Sequence, residues 1–386
     1  MIKKNNRPIL VYRFSSLGDI AMTVPVLRSF FQTYPDQKIV FASRPYAAPL
    51  FKEFQNLEFV PIDLNNNYKG LYGLLNLFRK LKKNKVKSVV DLHGVLRTKI
   101  LNLLFKLTFT RVKSINKGRS ERKKLIRKKN KIFKPLTQVH YKYSDVFRGV
   151  GFPIDLSNHE YPIKPFLSQE SKEHKMLSNI SNKKMIGIAP FAAHVGKSYP
   201  LDLMQKVIAY LQKDHIIYLF GGGNDNLKQL NIWENVYDNV IDLSNKLNLQ
   251  EQINIISYLD IMISMDSANG HLAANYDIPV LTLWGMTHPF CGFTPFNQPQ
   301  ENSITLDRNN YPYVPTSIFG NKIPIRKNGI VAIKEYAGAR PYIVFSVSPN
   351  LSLTTAPNQI KTIFGLWYTL ITLFPEPAGC SCPITM

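Results

Sequence analysis

The chain has 386 residues, too many for one ordinary hydrophobic core and enough for two domains of comparable size. Its 49 Lys and Arg against 26 Asp and Glu leave a net charge of +23, which calls for an anionic partner: nucleic acid, a membrane surface or a phosphorylated substrate. The three cysteines, Cys291, Cys380 and Cys382, have no metal-ligand spacing, so neither a zinc site nor a disulfide framework is expected and a reducing compartment is the default. The first apolar run, residues 9–14, is too short for a signal-peptide core and is interrupted by Arg13; it predicts a strand instead. It feeds the turn Arg13-Phe-Ser-Ser-Leu-Gly-Asp19. A strand, a small-residue turn and a helix together aim backbone N–H groups and one carboxylate at the place where α/β proteins hold ligands. Ser15, Ser16 and Gly18 leave room there, and Asp19 is favoured at a helix start because its charge opposes the positive dipole end. A plain helix cap would account for Asp19 equally well.

Further strands are predicted at 38–42, 57–62 and 88–92, alternating with helices at 24–34, 46–54 and 71–82, so the first lobe reads as a parallel sheet wrapped on both faces. Pro25 predicts an irregular start to the first helix, regular only from Thr23 or Val24. Residues 111–134 carry twelve Lys or Arg against the single acid Glu121. So dense a run repels itself and reads as a mobile or partly helical surface arm, either merely solvated or held against an anionic leaflet. Aromatic residues are not interleaved with its charges, which argues against single-stranded nucleic acid as the partner. A helix at 141–149 ends at Gly151-Phe-Pro153; the polar, Pro-punctuated stretch 155–181 lies between the two halves, and its segment Tyr161-Pro-Ile-Lys-Pro165 is expected to run extended.

The second lobe repeats the pattern with strands at 185–189, 215–220, 240–243, 261–264 and 279–284. Leu201, Met204, Val207, Ile208 and Leu211 fall on one helical face between the first two. Gly221-Gly-Gly-Asn-Asp225 follows a strand and opens a helix; it would admit a nucleotide, with Asn224 or Asp225 at the ribose hydroxyls, or serve as a tight turn. The strand at 261–264 runs into Asp266-Ser-Ala-Asn-Gly-His271, a second acidic, small-residue turn whose free N–H groups suit a phosphate. The loop Trp284-Gly-Met-Thr287-His288-Pro289 follows. No uninterrupted apolar run approaches the roughly twenty residues needed to cross a bilayer. Residues 331–386 carry only five charged residues and an apolar run at 363–374, and no function is assigned to them.

Ser15-Ser-Leu-Gly-Asp19, Asp266-Ser-Ala-Asn-Gly-His271 and Trp284-Gly-Met-Thr-His-Pro289 together resemble glycosyltransferase family 9, the lipopolysaccharide heptosyltransferases. Val90-Asp-Leu-His-Gly94 and Gly196-Lys-Ser-Tyr-Pro200 extend the likeness, which runs to about residue 320 and then fades. The resemblance implies an α/β fold of GT-B architecture, two doubly wound Rossmann-like lobes facing a central cleft. The acceptor side would be residues 1–165 with the basic arm, and the donor side 166–330. It implies Asp19 as the catalytic base and Lys197 as a phosphate ligand, although an exposed loop lysine is the plain alternative. The diphosphate would rest on the N–H groups of Ser267 and Ala268. Asp266 would hold that turn closed, and His271 would touch ligand or cap its neighbours. Thr287 and His288 would meet the sugar or diphosphate, and Arg97 an anionic acceptor.

The implied reaction is inverting, metal-independent transfer of heptose from an ADP-sugar donor to a lipid-linked saccharide acceptor. No cofactor, metal or nucleic acid is expected. The enzyme would be cytoplasmic, with an anionic membrane surface as partner at the inner face of the cytoplasmic membrane. Two rival readings are another nucleotide-sugar transferase or epimerase on the same frame, and a non-enzymatic basic membrane- or nucleic-acid-binding protein. The second gives Asp19, Ser267 and Lys197 no common role.

Overall fold

A computed structural model describes residues 7–178, 183–222, 224–244, 246–309 and 311–321. The tail at 331–386, with Cys380 and Cys382, lies outside the described residues, as do the side chains of Asn224 and Asp225. The first lobe holds five parallel strands: β1 (Ile9–Tyr12), β2 (Ile39–Ser43), β3 (Leu57–Pro61), β4 (Ser88–Asp91) and β5 (Arg111–Ser114), in the order β3-β2-β1-β4-β5. Ile9 lies opposite both Ile39 and Ser88, so the loops that follow β1 and β4 open side by side at one edge of the sheet. All four residues of β1 are fully buried, as expected of a central parallel strand covered on both faces. Leu10, Tyr12, Val40 and Val89 pack against the helices Gly70–Lys82 and Leu96–Lys106 through Leu74, Leu77, Leu101 and Phe105. Ile9, Val11, Phe41 and Val90 share the opposite core with the helices Val24–Thr33 and Val139–Arg148, through Leu27, Phe30 and Phe147.

Several local expectations change. After the turn the chain makes a five-residue helix, Leu17–Ala21, and then restarts at Val24 with Pro25 in its first turn, as Pro25 led one to expect. The segment at 46–54 is a 3-10 helix, Pro45–Phe51, because Pro49 lies inside it. The helix Leu96–Lys106 is not announced by the sequence pattern, since its apolar residues are spread around the whole circumference and leave no single stripe. The basic span is not a free arm. It begins as the edge strand β5 and continues into the helix Arg119–Ile126, anchored by the fully buried Leu125. An edge strand tolerates such charge because one side stays in solvent. Residues 161–165 carry no helix, and the same connecting stretch goes on to form the helix Lys172–Ser178, whose buried Glu173 accepts a hydrogen bond from Asn254 Nδ2 at 2.8 Å.

The second lobe holds β6 (Lys184–Ala189), β7 (His215–Leu219), β8 (Val240–Asp242), β9 (Ile261–Met265), β10 (Val280–Leu283) and β11 (Ser303–Ile304). They form a parallel sheet in the order β11-β10-β9-β6-β7-β8. β11 is only two residues long, too short to register as a strand in sequence. Direct bonds join the lobes. Buried Arg28 grips Glu53 through two 2.9 Å bonds and donates to the Asn275 carbonyl oxygen, while Asn275 Nδ2 donates to the Ala21 carbonyl at 3.2 Å. Among the described residues no helix is long and apolar enough to cross a membrane.

Candidate active site

Each lobe contributes one turn from the C-terminal edge of its sheet. In the first, Ser16 caps the helix Leu17–Ala21 and Asp19 occupies its third position. The Ser16 N–H donates to Asp19 Oδ2 at 3.1 Å and the Ser16 hydroxyl donates to the same oxygen at 2.8 Å. Arg13 Nη2 lies 2.6 Å from Asp19 Oδ2, and Arg13 Nη1 donates to the Leu92 carbonyl at 2.8 Å. Burial pushes the Asp19 carboxyl up, but the Arg13 guanidinium and the two Ser16 donors more than offset it and hold the carboxyl below its ordinary value. The charge is therefore kept by Arg13 and Ser16, and not by a helix dipole, to which five residues contribute little. Sequence reasoning missed Arg13 as a site residue. Its signal was a lone cation at the end of a buried strand, which needs an anion nearby.

In the second turn, Ser267 caps the helix Ala268–Ala274 and its hydroxyl lies 3.0 Å from that of Ser264. Lys197 Nζ reaches Asp266 Oδ2 at 2.8 Å, both side chains being largely buried. So Lys197 is not an exposed loop lysine, and the Asp266 carboxylate is tied by an ion pair to the loop that carries Lys197. The loop carrying Lys197 is clamped by three glycines. A Cβ on Gly196 would lie 2.4 Å from the Gly320 carbonyl oxygen, and one on Gly285 2.6 Å from that of Gly196. One on Gly320, at φ +71°, would lie 2.5 Å from Lys197 Cγ. The Met286 N–H closes the clamp by donating to the Gly196 carbonyl at 2.6 Å. Gly285 and Gly320 were unread in the sequence because their reason is a contact between distant segments.

The two turns touch. A Cβ on Gly18 would stand 3.2 Å from His271 Cδ2 and 3.3 Å from Ala268 Cα, so the space beside Gly18 admits the second lobe and not a ligand. His271 is buried where the lobes meet, and its Nδ1 has no hydrogen-bond partner among the described residues. Burial pushes its pKa down to about 4 against the opposing pull of Asp266 and Asp19, which leaves the ring neutral near pH 7. The neutral His271 ring at the lobe contact thus lies within electrostatic reach of the ionised Asp19 of one lobe and of the buried Lys197–Asp266 pair of the other.

A model of glycosyltransferase family 9 (heptosyltransferase) matches residues 74–321, well over half of the chain. The chain belongs to glycosyltransferase family 9. It is a glycosyltransferase, of the heptosyltransferase family of lipopolysaccharide core biosynthesis. The lipopolysaccharide core heptosyltransferase OpsX of Haemophilus influenzae is 21% identical over 288 residues, covering 73% of this chain and 80% of that protein. Lipopolysaccharide heptosyltransferase 3 of Escherichia coli is 26% identical over 321 residues, covering 78% and 87%. Among solved structures, the family 9 glycosyltransferase of Veillonella parvula aligns with a TM-score of 0.64 at 17% identity, over 88% of this chain and 97% of that one. The E. coli ADP-heptose lipopolysaccharide heptosyltransferase II aligns with a TM-score of 0.57 at 17% identity, over 78% and 91%. These likenesses show the fold, two Rossmann-like lobes in the GT-B arrangement. The family match takes in Lys197, the Asp266 turn and the Trp284 loop, and begins after the Asp19 turn.

The remaining candidates of this family 9 enzyme are spread around that junction. Thr287 is fully buried and its hydroxyl has no partner among the described residues. His288 serves its own turn: Nδ1 accepts from the Phe290 N–H at 3.1 Å, and the ring packs on Phe133 and Phe290. Arg97 is exposed, at the rim of a pocket of about 330 Å³ that it shares with Phe14, Ser15, Arg44 and His93. Asp91 is structural: it accepts the His93 and Gly94 N–H groups at 2.9 Å each and Asn102 Nδ2 at 2.8 Å. Two cations of the basic span turn inward. Lys117 and Arg122 are pushed down chiefly by burial, Lys117 further by Arg13, Arg122 and Arg119, and both feel the Asp19 carboxylate. Arg122 sits over the rings of Phe293 and Phe319, 5.4 Å from each centroid.

Proposed function

We propose that this enzyme moves heptose from ADP-heptose to the lipopolysaccharide inner core, with inversion and without a metal. The observation that carries this reading is the meeting of the two turns at His271, within electrostatic reach of the ionised Asp19 on one lobe and the buried Lys197–Asp266 pair on the other. In-line displacement needs a base on the acceptor hydroxyl and a positive partner for the departing diphosphate, on opposite sides of the anomeric carbon. Asp19 takes the acceptor proton. Lys197, at present shared with Asp266, turns its ammonium to the diphosphate, and the N–H groups of Ser267 and Ala268 add donors. Thr287, whose buried hydroxyl has no partner among the described residues, would receive a polar group of the donor. Asn224 and Asp225 keep their role at the ribose as a proposal.

On the acceptor side, Lys117 and Arg122 supply cations near the base, where phosphates or carboxylates of the core saccharide would neutralise them. The enzyme would work from the cytoplasm at the inner face of the membrane, where a lipid-linked acceptor lies. The test is a donor screen in which the purified protein is incubated with ADP-heptose, with and without inner-core acceptor, and product mass and free ADP are measured. Acceptor-dependent ADP release, with one heptose added to the acceptor and undiminished by EDTA, is the expected result. Turnover of the donor sugar without an acceptor would make the enzyme an epimerase instead.

A further inference from the structure

We propose that the outer face of the neighbouring helices Gly70–Lys82 and Leu96–Lys106 is the surface by which the enzyme lies on an anionic lipid leaflet. The second helix buries Thr98, Leu101, Asn102 and Phe105 toward the sheet, yet it is apolar on its outer side as well. Leu96, Leu103 and Leu107 recur at helical spacing opposite that buried face and are 74%, 58% and 69% exposed, while Ile100 between them packs partly against the core. Just beyond them Phe109 is wholly exposed at φ +58°, a backbone conformation unfavourable for a bulky L residue.

The first helix adds Leu71 and Leu75, both exposed, on the flank from which Phe78 meets Phe105 of its neighbour at 5.0 Å. An apolar stripe of this extent on a water-facing helix marks an interaction surface.

Its charge selects the partner. Between residues 64 and 110 the only acid is Asp91, which is fully buried, against ten Lys or Arg. Lys99 and Lys106 border the stripe on one side and Arg97 on the other, the arrangement of apolar residues among cations that binds anionic headgroups. Position agrees as well. Leu96 begins the stripe and also lines the pocket that holds Ser15 and Arg97, so the apolar surface runs up to the mouth of the cleft beside the Asp19 turn. A lipid-linked acceptor would reach the base from this side without leaving the leaflet, a consequence that rests on the acceptor proposed above. Of the basic span 111–134, Lys117 and Arg122 turn inward and are left to serve the cleft.

The test is co-sedimentation of the full chain with vesicles of phosphatidylethanolamine containing phosphatidylglycerol, with no donor or turnover involved. It thus stands apart from the identity of the sugar. Leu103→Ser, Leu107→Ser and Phe109→Ser combined should lower the vesicle partition coefficient roughly tenfold or more, because they remove most of the exposed apolar area. Thermal midpoint, ADP affinity and transfer to a soluble, delipidated saccharide should be unchanged, while transfer to vesicle-embedded acceptor falls. Lys99→Ser with Lys106→Ser should weaken binding to these vesicles and leave the feeble binding to pure phosphatidylcholine unaltered. Unchanged partition of the triple variant would overturn the proposal. So would a change in sedimentation mass on making it, which would assign the stripe to a second copy of the chain.

Discussion

Replacing Asp19 by Asn separates its chemical role from its structural one. The amide retains an oxygen for the Ser16 donors but no longer balances Arg13, which is 8% exposed and keeps only its bond to the Leu92 carbonyl. Because the Asp19 side chain is itself 21% exposed, the stranded guanidinium should cost about 1–3 kcal/mol, less than a fully buried broken pair. A domain stable by roughly 5–15 kcal/mol survives that loss at 25 °C. Loss of the base is the larger effect on rate: general-base catalysis contributes on the order of 10²–10⁴, or roughly 3–5 kcal/mol of barrier. The assay pairs turnover of ADP-heptose and acceptor with calorimetric ADP affinity on the same sample. The expected outcome is kcat reduced at least about a hundredfold with ADP affinity within about twofold of the parent. Turnover within about tenfold of the parent in a folded, ADP-binding variant would refute the base assignment.

Lys197→Ala should weaken ADP binding about 10- to 100-fold, the loss of one charge-assisted bond, and lower the thermal midpoint because Asp266 is left buried and alone. Adding Asp266→Asn should recover the midpoint but not the affinity, as read by calorimetry and a thermal melt. Gly285→Ala drives a Cβ to 2.6 Å from the Gly196 carbonyl oxygen, so ADP affinity should fall with a stability loss of roughly 1–3 kcal/mol; unchanged binding would mean that the clamp does not position Lys197. Burial holds the pKa of His140 down to about 3 and that of His271 to about 4. Between the ordinary histidine value near 6.5 and those values the unfolded chain binds protons that the folded chain refuses, so stability is complete above about pH 6.5 and is lost as pH falls. The slope should approach roughly 3 kcal/mol per pH unit for the two rings together, measurable by urea unfolding across that range, and His140→Gln should flatten it.

Architecture was legible where a chemical pattern is local. Alternating apolar runs and helical faces disclosed nine of the eleven strands among the described residues and both ligand turns, because a central strand such as β1 must be apolar throughout. The pairing of Asp19 with Arg13 and the clamp around Lys197 were not legible. Arg13 reads as an interruption in an apolar run until the strand is known to be covered, and Gly285 and Gly320 owe their smallness to Gly196 and Lys197, far away in sequence. Residues 111–134 misled in a different way. Charge density predicts repulsion along a free chain, but here the chain is spread along a sheet edge and a helix tied down by Leu125, with Lys131 Nζ donating to the Leu125 and Pro315 carbonyls at 2.7 Å each. The helix Leu96–Lys106 escaped notice for the reason that makes it interesting: it is apolar toward solvent as well as toward the core.

The central claim is that the carboxylate of one lobe and the lysine of the other flank a single reacting centre. A crystal structure with ADP bound tests it most directly. The account predicts Lys197 Nζ within about 3 Å of a diphosphate oxygen, the Ser267 N–H donating to another, and Asp19 opening onto the same cavity from the opposite side. ADP seated away from Lys197 and Ser267, or an Asp19 carboxylate shut off from the nucleotide's terminal phosphate, would contradict it.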